Sequence, residues 1–255
     1  MVQRLGYSMA NLFKVLVFSR TLAYRHASIP AGIDAFHQIA AASSTTQHPF
    51  TVDDSEDPSL FCEERLSAYR VIILLQCSGD FLNEHQIEAL KRFVRSGRGI
   101  VAVHCASFAL QGSEWYGRLI GGVFDHHPEP QLGRVHALDV NHPILRTACP
   151  IHVQELVAPL GPAEPEKLWL DEWYNFKTHP RKTSEGLHVL LSVNEASYKG
   201  GWHGEDHPVA WCQEFDGGRC FYTSLGHFDE AYKDEWFLGQ LYGGILWAAG
   251  CSKEE

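Results

Sequence analysis

Short, almost unbroken apolar runs alternate, over the first hundred residues, with stretches whose apolar positions recur every three or four residues. The runs are 14–18 (KVLVF), 71–75 (VIILL) and 100–103 (IVAV). Runs of this length without polar alternation predict strands buried on both faces of a parallel sheet. Between the first two, Ile29, Ile33, Phe36 and Ala40 form one face of a helix that opens with Ser28 as a polar cap and Pro30 in its first turn. Before the third, Ile87, Leu90, Phe93 and Val94 form the stripe of another helix. Asn83 with Gln86 three residues on predicts a capping box at its start. Strand, helix, strand, helix, strand in this order predicts parallel pairing with right-handed crossovers.

After Phe108 the texture changes. A small helix is expected over 114–120, an alternating strand over 134–140, another strand-like piece over 153–157 and a strand over 187–193. Segments 209–215 and 219–225 flank Asp216-Gly217-Gly218, a hairpin signal. Asp234 is placed to cap a last helix with Phe237, Leu241, Ile245 and Ala248 inward. The acidic stretch 43–58 predicts a short strand and a solvated loop, and Gly200, Gly201 and Gly204 predict a flexible loop over 198–206. With no repeat, linker or low-complexity tract, a single domain over 13–250 is expected behind a loose leader, 1–12.

Composition narrows the classes. The 255 residues are 45% hydrophobic, enough for a large core, and carry a net charge of −10. That balance argues against a nucleic-acid or anionic-membrane surface. No apolar run approaches roughly 18 residues, so no membrane span is expected. Lys14 interrupts the N-terminal apolar stretch, which speaks against a signal peptide. Seven scattered cysteines without a CxxC pair suit reduced thiols in a cytoplasmic protein.

Candidate chemistry gathers where strands end. The run 100–103 stops at His104, followed by Cys105, Ala106 and Ser107. In open α/β sheets ligands lie beyond the carboxyl ends of the strands. The loop after the first strand carries Tyr24, Arg25 and His26 just ahead of a helix N-terminus, whose N–H groups favour anionic or hydroxyl-rich ligands. His227 follows the last strand, with Glu230 three residues later. Asp171 and Glu172 lie beside Trp173 and Tyr174, an acidic and aromatic set suited to a sugar but equally to a strand edge. Trp202 and His203 sit in the glycine-bearing loop, an expected mobile rim. His126, His127 and His142 neighbour prolines and read first as turn residues, with His127 kept as a ligand contact.

The segments YRHASIPAGI (24–33), GIVAVHCAS (99–107), HHPE (126–129), NHPI (141–144), DEWYNF (171–176) and HPVAWCQEFDGGRCFYTSLGHFDEAY (207–232) together resemble the ThuA-like, trehalose-utilisation family. The resemblance runs in order from residue 14 to the end of the chain. It implies the α/β fold of class I glutamine amidotransferases: flavodoxin-like, a mainly parallel sheet with helices on both faces. Laid on the amidotransferase pattern, VAVHCAS puts His104, not Cys105, at the nucleophile's position, so glutaminase activity is not expected and Cys105 reads as a buried filler. His227 falls where amidotransferases keep their catalytic histidine.

The function implied is action on a trehalose-related sugar or keto-sugar by His/carboxylate acid–base chemistry. His104, His227 and Glu230 are the expected catalytic residues. Tyr24, Arg25, His26, His127, Asp171, Glu172, Tyr174, Trp202 and His203 are the expected substrate contacts. A non-catalytic sugar-binding or regulatory module is one alternative, and a divalent-metal hydrolase is another. His26, His104, His227 and a carboxylate could supply the N/O set that zinc accepts, yet no HxH or HExxH spacing singles them out. No metal ligand is therefore assigned. The expected partner is a small-molecule carbohydrate, and self-association stays open.

Overall fold

The computed structural model describes residues 12–151 and 166–252. Nine strands form one sheet in the order β2-β1-β3-β4-β11-β10-β9-β6-β7. They are β1 (Phe13–Phe18), β2 (Phe50–Ser55), β3 (Val71–Leu75), β4 (Gly99–Val103), β6 (Gln131–Ala137), β7 (Glu166–Asp171), β9 (His188–Asn194), β10 (Pro208–Phe215) and β11 (Gly218–Thr223). Two short strands, β5 (Phe124–His126) and β8 (Asn175–Phe176), pair antiparallel beside it. The expected strand over 153–157 and nearly all of the expected leader lie outside the described residues.

The apolar runs become the parallel part. β2, β1, β3, β4 and β11 pair in parallel. Side chains alternate between the faces, so Val15 and Val17 point to one core and Leu16 and Phe18 to the other. Helices Ile29–Ser43 and Glu235–Ala248 cover the first face; Glu84–Arg95 and Glu114–Ile120 cover the second. The α/β sandwich with helices on both faces is therefore present. The hairpin signal anticipated β10 antiparallel to β11, but the pattern did not disclose that β9, β6 and β7 extend the sheet antiparallel beyond it.

Local chemistry explains the joins. Asn83 and Gln86 form the reciprocal capping box, each side chain bonding the other's backbone N–H. Asp216 and Gly217 take φ values of 50° and 91° in the β10–β11 hairpin, the left-handed pair a two-residue turn requires. Asp234 caps the last helix through the N–H groups of Trp236 and Phe237. Ser28 departs from its expected capping role. Its hydroxyl makes no cap bond and instead donates to the His227 carbonyl at 2.7 Å, tying the helix start to the loop after β11. All seven cysteines are free thiols.

The antiparallel extension decides where the carboxylates go. β7 lies four strands from β11, about 19 Å away in a flat sheet. Yet Asp171, the last residue of β7, accepts from Gly226 N at 2.8 Å and His227 N at 3.2 Å. The antiparallel half must therefore curl back over the carboxyl ends of the parallel half. Trp173, fully buried, helps to hold this fold-over by donating its indole N–H to the Gln131 carbonyl at 3.0 Å. Gly133 leaves room for that ring, since a Cβ there would stand 2.6 Å from it.

Candidate functional site

Four elements bring one side chain each to a single point above the strand ends. His26 comes from the loop after β1, His104 from the turn after β4, Glu172 from the end of β7 and His227 from the loop after β11. One ligand atom from each lies within 4.8 Å of all the others. His104 is fully buried and sits on the sharp turn out of β4 with φ of 54°, a left-handed conformation that a residue with a side chain rarely adopts. Gln76, at the end of neighbouring β3, is similarly turned, with φ of 51°.

Hydrogen bonds fix which nitrogens face inward. His104 Nδ1 lies 2.6 Å from the Ser224 carbonyl, which can only accept, so Nδ1 carries the proton and Nε2 presents a lone pair. His26 Nδ1 lies 3.4 Å from Cys105 Sγ, whose own proton goes to the Gln76 carbonyl at 3.1 Å. The sulfur is thus the acceptor, and His26 Nε2 also presents a lone pair. These two Nε2 atoms stand 3.1 Å apart. Two imidazole lone pairs at that separation repel unless a hydrogen-bond donor takes one of them or a cation lies between them.

Glu172 supplies the negative charge. Its Oε2 is 3.3 Å from His104 Nε2, 3.1 Å from His227 Nδ1 and 3.9 Å from His26 Nε2. Its Oε1 is 3.4 Å from His127 Nε2. Burial acts to raise the Glu172 carboxyl, but contacts with His104, His227 and His26 outweigh it and hold the group well below the usual carboxylate range. Burial lowers His26 to about 4, aided by the neighbouring imidazoles and opposed by Glu172, so it is neutral near pH 7. Burial also opposes protonation of His227, but Glu172 overrides it and raises that imidazole. His227 Nδ1 is shielded from solvent, and among the described residues the Glu172 carboxylate, 3.1 Å away, is its nearest acidic neighbour.

Asp171 has a different task. It is fully buried and accepts from the indole of Trp169 at 2.9 Å, from Glu172 N at 2.9 Å, and from Gly226 and His227 as described above. Three of these donors are backbone N–H groups, and Asp171 is not among the four converging side chains, so it anchors the two loops that carry Glu172 and His227. Gly226, with φ of 111°, lets two successive N–H groups turn toward this one carboxylate.

The other expected residues divide clearly. Tyr174 is buried beneath the cluster, its hydroxyl donating to His104 Nε2 at 2.9 Å. His127 is on the rim, its ring stacked 5.7 Å from that of Tyr174. Tyr24 is largely exposed, its ring nearly perpendicular to that of His26 with centroids 4.7 Å apart. Arg25 points away to Glu56 at 2.7 Å. Trp202 is exposed on the loop, 5.0 Å from the His126 ring. His203 is committed, accepting from Phe176 N at 3.0 Å. Glu230 is exposed on the turn Asp229–Lys233 and does not join the four converging groups. Cys105, read as filler, proves to hold the outer nitrogen of His26; only its place beside His104 hinted at this.

Cys105 is also a poor nucleophile. It is buried and its thiol is pushed well above its ordinary range by burial and by Glu172. The protein should release no ammonia from glutamine. Glutamine hydrolysis that disappears in Cys105→Ser would overturn this expectation.

The fold has close relatives among solved structures. A ThuA-like protein from Bacteroides uniformis shares 22% identity over 92% of this chain and 91% of its own, with a TM-score of 0.70. A second, from Parabacteroides merdae, shares 18% over 95% and 92%, with a TM-score of 0.69. A cytoplasmic protein from Salmonella typhimurium superposes with a TM-score of 0.57 at 10% identity, over 92% of this chain and 99% of its own. No curated protein matches the sequence. The profile of the family described as trehalose utilisation matches residues 14–248, nearly the whole length. The chain therefore belongs to the ThuA family.

Proposed function

We propose that this protein is a divalent-metal enzyme acting on a carbohydrate, with the ion held by His26, His104, His227 and Glu172. The observation that carries this is the pair of inward lone pairs on His26 and His104, 3.1 Å apart, with a carboxylate oxygen 3.3 Å from one of them. Ligands bonded to an ion at about 2.0–2.1 Å stand about 2.9–3.4 Å from one another at right or tetrahedral angles. Three of the measured separations fall in that range. Outward nitrogens committed to a carbonyl and a thiol are the supporting contacts that metal-bound imidazoles need.

Such an ion would polarise a carbonyl or hydroxyl oxygen. The chain's own residues supply the rest: Glu172 neutralises charge, Tyr174 and His127 shape the wall, and the exposed Trp202 offers a stacking face at the rim. The family description, trehalose utilisation, supports a carbohydrate as the substrate class, and a keto-sugar related to trehalose is the specific form proposed. The parallel half has the strand order 2-1-3-4-5 of flavodoxin-like sheets, counting β11 as the fifth, and this supports that fold assignment. The cluster lies near the β1/β3 switch point where such sheets bind ligands. A cytoplasmic setting is supported by the seven free thiols. No helix among the described residues is long and apolar enough to cross a membrane.

Metal-free acid–base catalysis is the second reading, favoured by the 3.1 Å approach of His227 Nδ1 to Glu172 Oε2. Elemental analysis of protein purified without an immobilised-metal column separates the two. About one transition-metal ion per chain, with turnover of a trehalose-related keto-sugar lost on chelation and restored by the ion, is expected. Full turnover by metal-free protein would establish the acid–base reading instead.

A further inference from the structure

The ring of Tyr174 shapes the wall of the site, but its buried hydroxyl is given no task by the metal, and its geometry is specific. Its hydroxyl lies 2.9 Å from His104 Nε2, and that is its one hydrogen bond among the described residues. The two rings are tilted by 31° with centroids 4.5 Å apart, so the phenol lies partly over the imidazole. The same nitrogen also faces His26 and Glu172. Its single lone pair cannot serve both the phenol and an ion.

Resting on the metal reading above, we propose that Tyr174 is a catalytic residue whose hydroxyl turns, once the ion takes the His104 lone pair, to donate a hydrogen bond to an oxygen of the substrate bound at that ion. A buried hydroxyl stripped of its acceptor is costly, which supplies the driving force for the new bond. Preorganised donors aimed at developing oxygen charge are a principal source of transition-state stabilisation.

The location of the phenol is held from behind. The carbonyl of Tyr174 accepts from His207 Nε2 at 2.9 Å, and His207 is fully buried. The ring packs against Phe124, with centroids 4.5 Å apart. Neither contact involves the hydroxyl, so Tyr174→Phe should retain the packing and remove the donor alone.

The test uses Co²⁺ as the ion and acetohydroxamate as an oxygen-donor probe, both read by the visible spectrum of the cobalt protein. Wild type and Tyr174→Phe should bind Co²⁺ with affinities within about threefold of each other. The variant should bind acetohydroxamate about tenfold more weakly, the effect of one lost hydrogen bond. Tyr69→Phe, which removes a phenol bonded to Asp53 far from the cluster, should match wild type in both. Equal probe affinity in Tyr174→Phe, with an unchanged melting temperature, would overturn the donor role. A loss of Co²⁺ affinity beyond tenfold in that variant would also overturn it, making Tyr174 a ligand. If wild type itself binds no Co²⁺, the metal reading fails, and this proposal with it.

Discussion

Glu172→Gln should reduce divalent-metal affinity by at least about 100-fold while leaving the protein folded. Changes to groups that merely orient a ligand cost about 10–100-fold, and loss of the anionic ligand itself costs more. Glu172 is the carboxylate at the centre of the cluster, its Oε2 within 3.1–3.9 Å of three imidazole nitrogens. Asp171, the adjacent carboxylate, is spent on N–H groups and cannot replace it. A glutamine retains the shape and one carbonyl oxygen, but the charge that offsets a divalent ion is gone. Competition with a calibrated chelator measures the loss, and circular dichroism checks the fold. Unchanged affinity in the folded variant would remove Glu172 from the ligand set.

Asp171→Ala should be the most destabilising single change at the site, by about 3–5 kcal/mol, because several buried N–H donors lose their acceptor at once, each at about 1–3 kcal/mol before the structure relaxes. Four N–H groups lose their acceptor together: the Trp169 indole and the backbone of Glu172, Gly226 and His227. Asp171→Asn should be little better. Trp169 and Gly226 donate to one oxygen, Glu172 and His227 to the other, so an amide NH₂ in either place confronts two donors. Urea unfolding measures the change directly, and the melting temperature should fall by about 2–4 °C for each kcal/mol. A stability within about 1 kcal/mol of wild type would show that the two loops hold together without this carboxylate. Metal affinity should fall as well, since Glu172 and His227 lose their common anchor.

The parallel half of the fold was legible because local and global signals coincide there. Strands buried on both faces must be apolar throughout, and the helices between them must carry a stripe, so KVLVF, VIILL and IVAV with their intervening helices leave few alternatives. The turns that obey short-range rules, such as the Asn83 capping box and the Asp216-Gly217 hairpin, were legible for the same reason. His26, His104 and His227 could be placed at strand ends because a parallel sheet sends all its carboxyl termini to one side. What the chain pattern could not disclose was distance. β7 is antiparallel and four strands removed from β11, and the curl that returns it to Gly226 arises from contacts between residues far apart in sequence. For that reason Asp171 and Glu172 read as one acidic pair along the chain, whereas folding turns one to the backbone and the other to the imidazoles. The same holds for Ser28, whose hydroxyl serves His227, 199 positions away, and not its own helix. Periodicity encodes which face a side chain takes. Only the closed tertiary structure decides which other side chains it meets there, because convergence of four loops depends on packing that no single segment specifies.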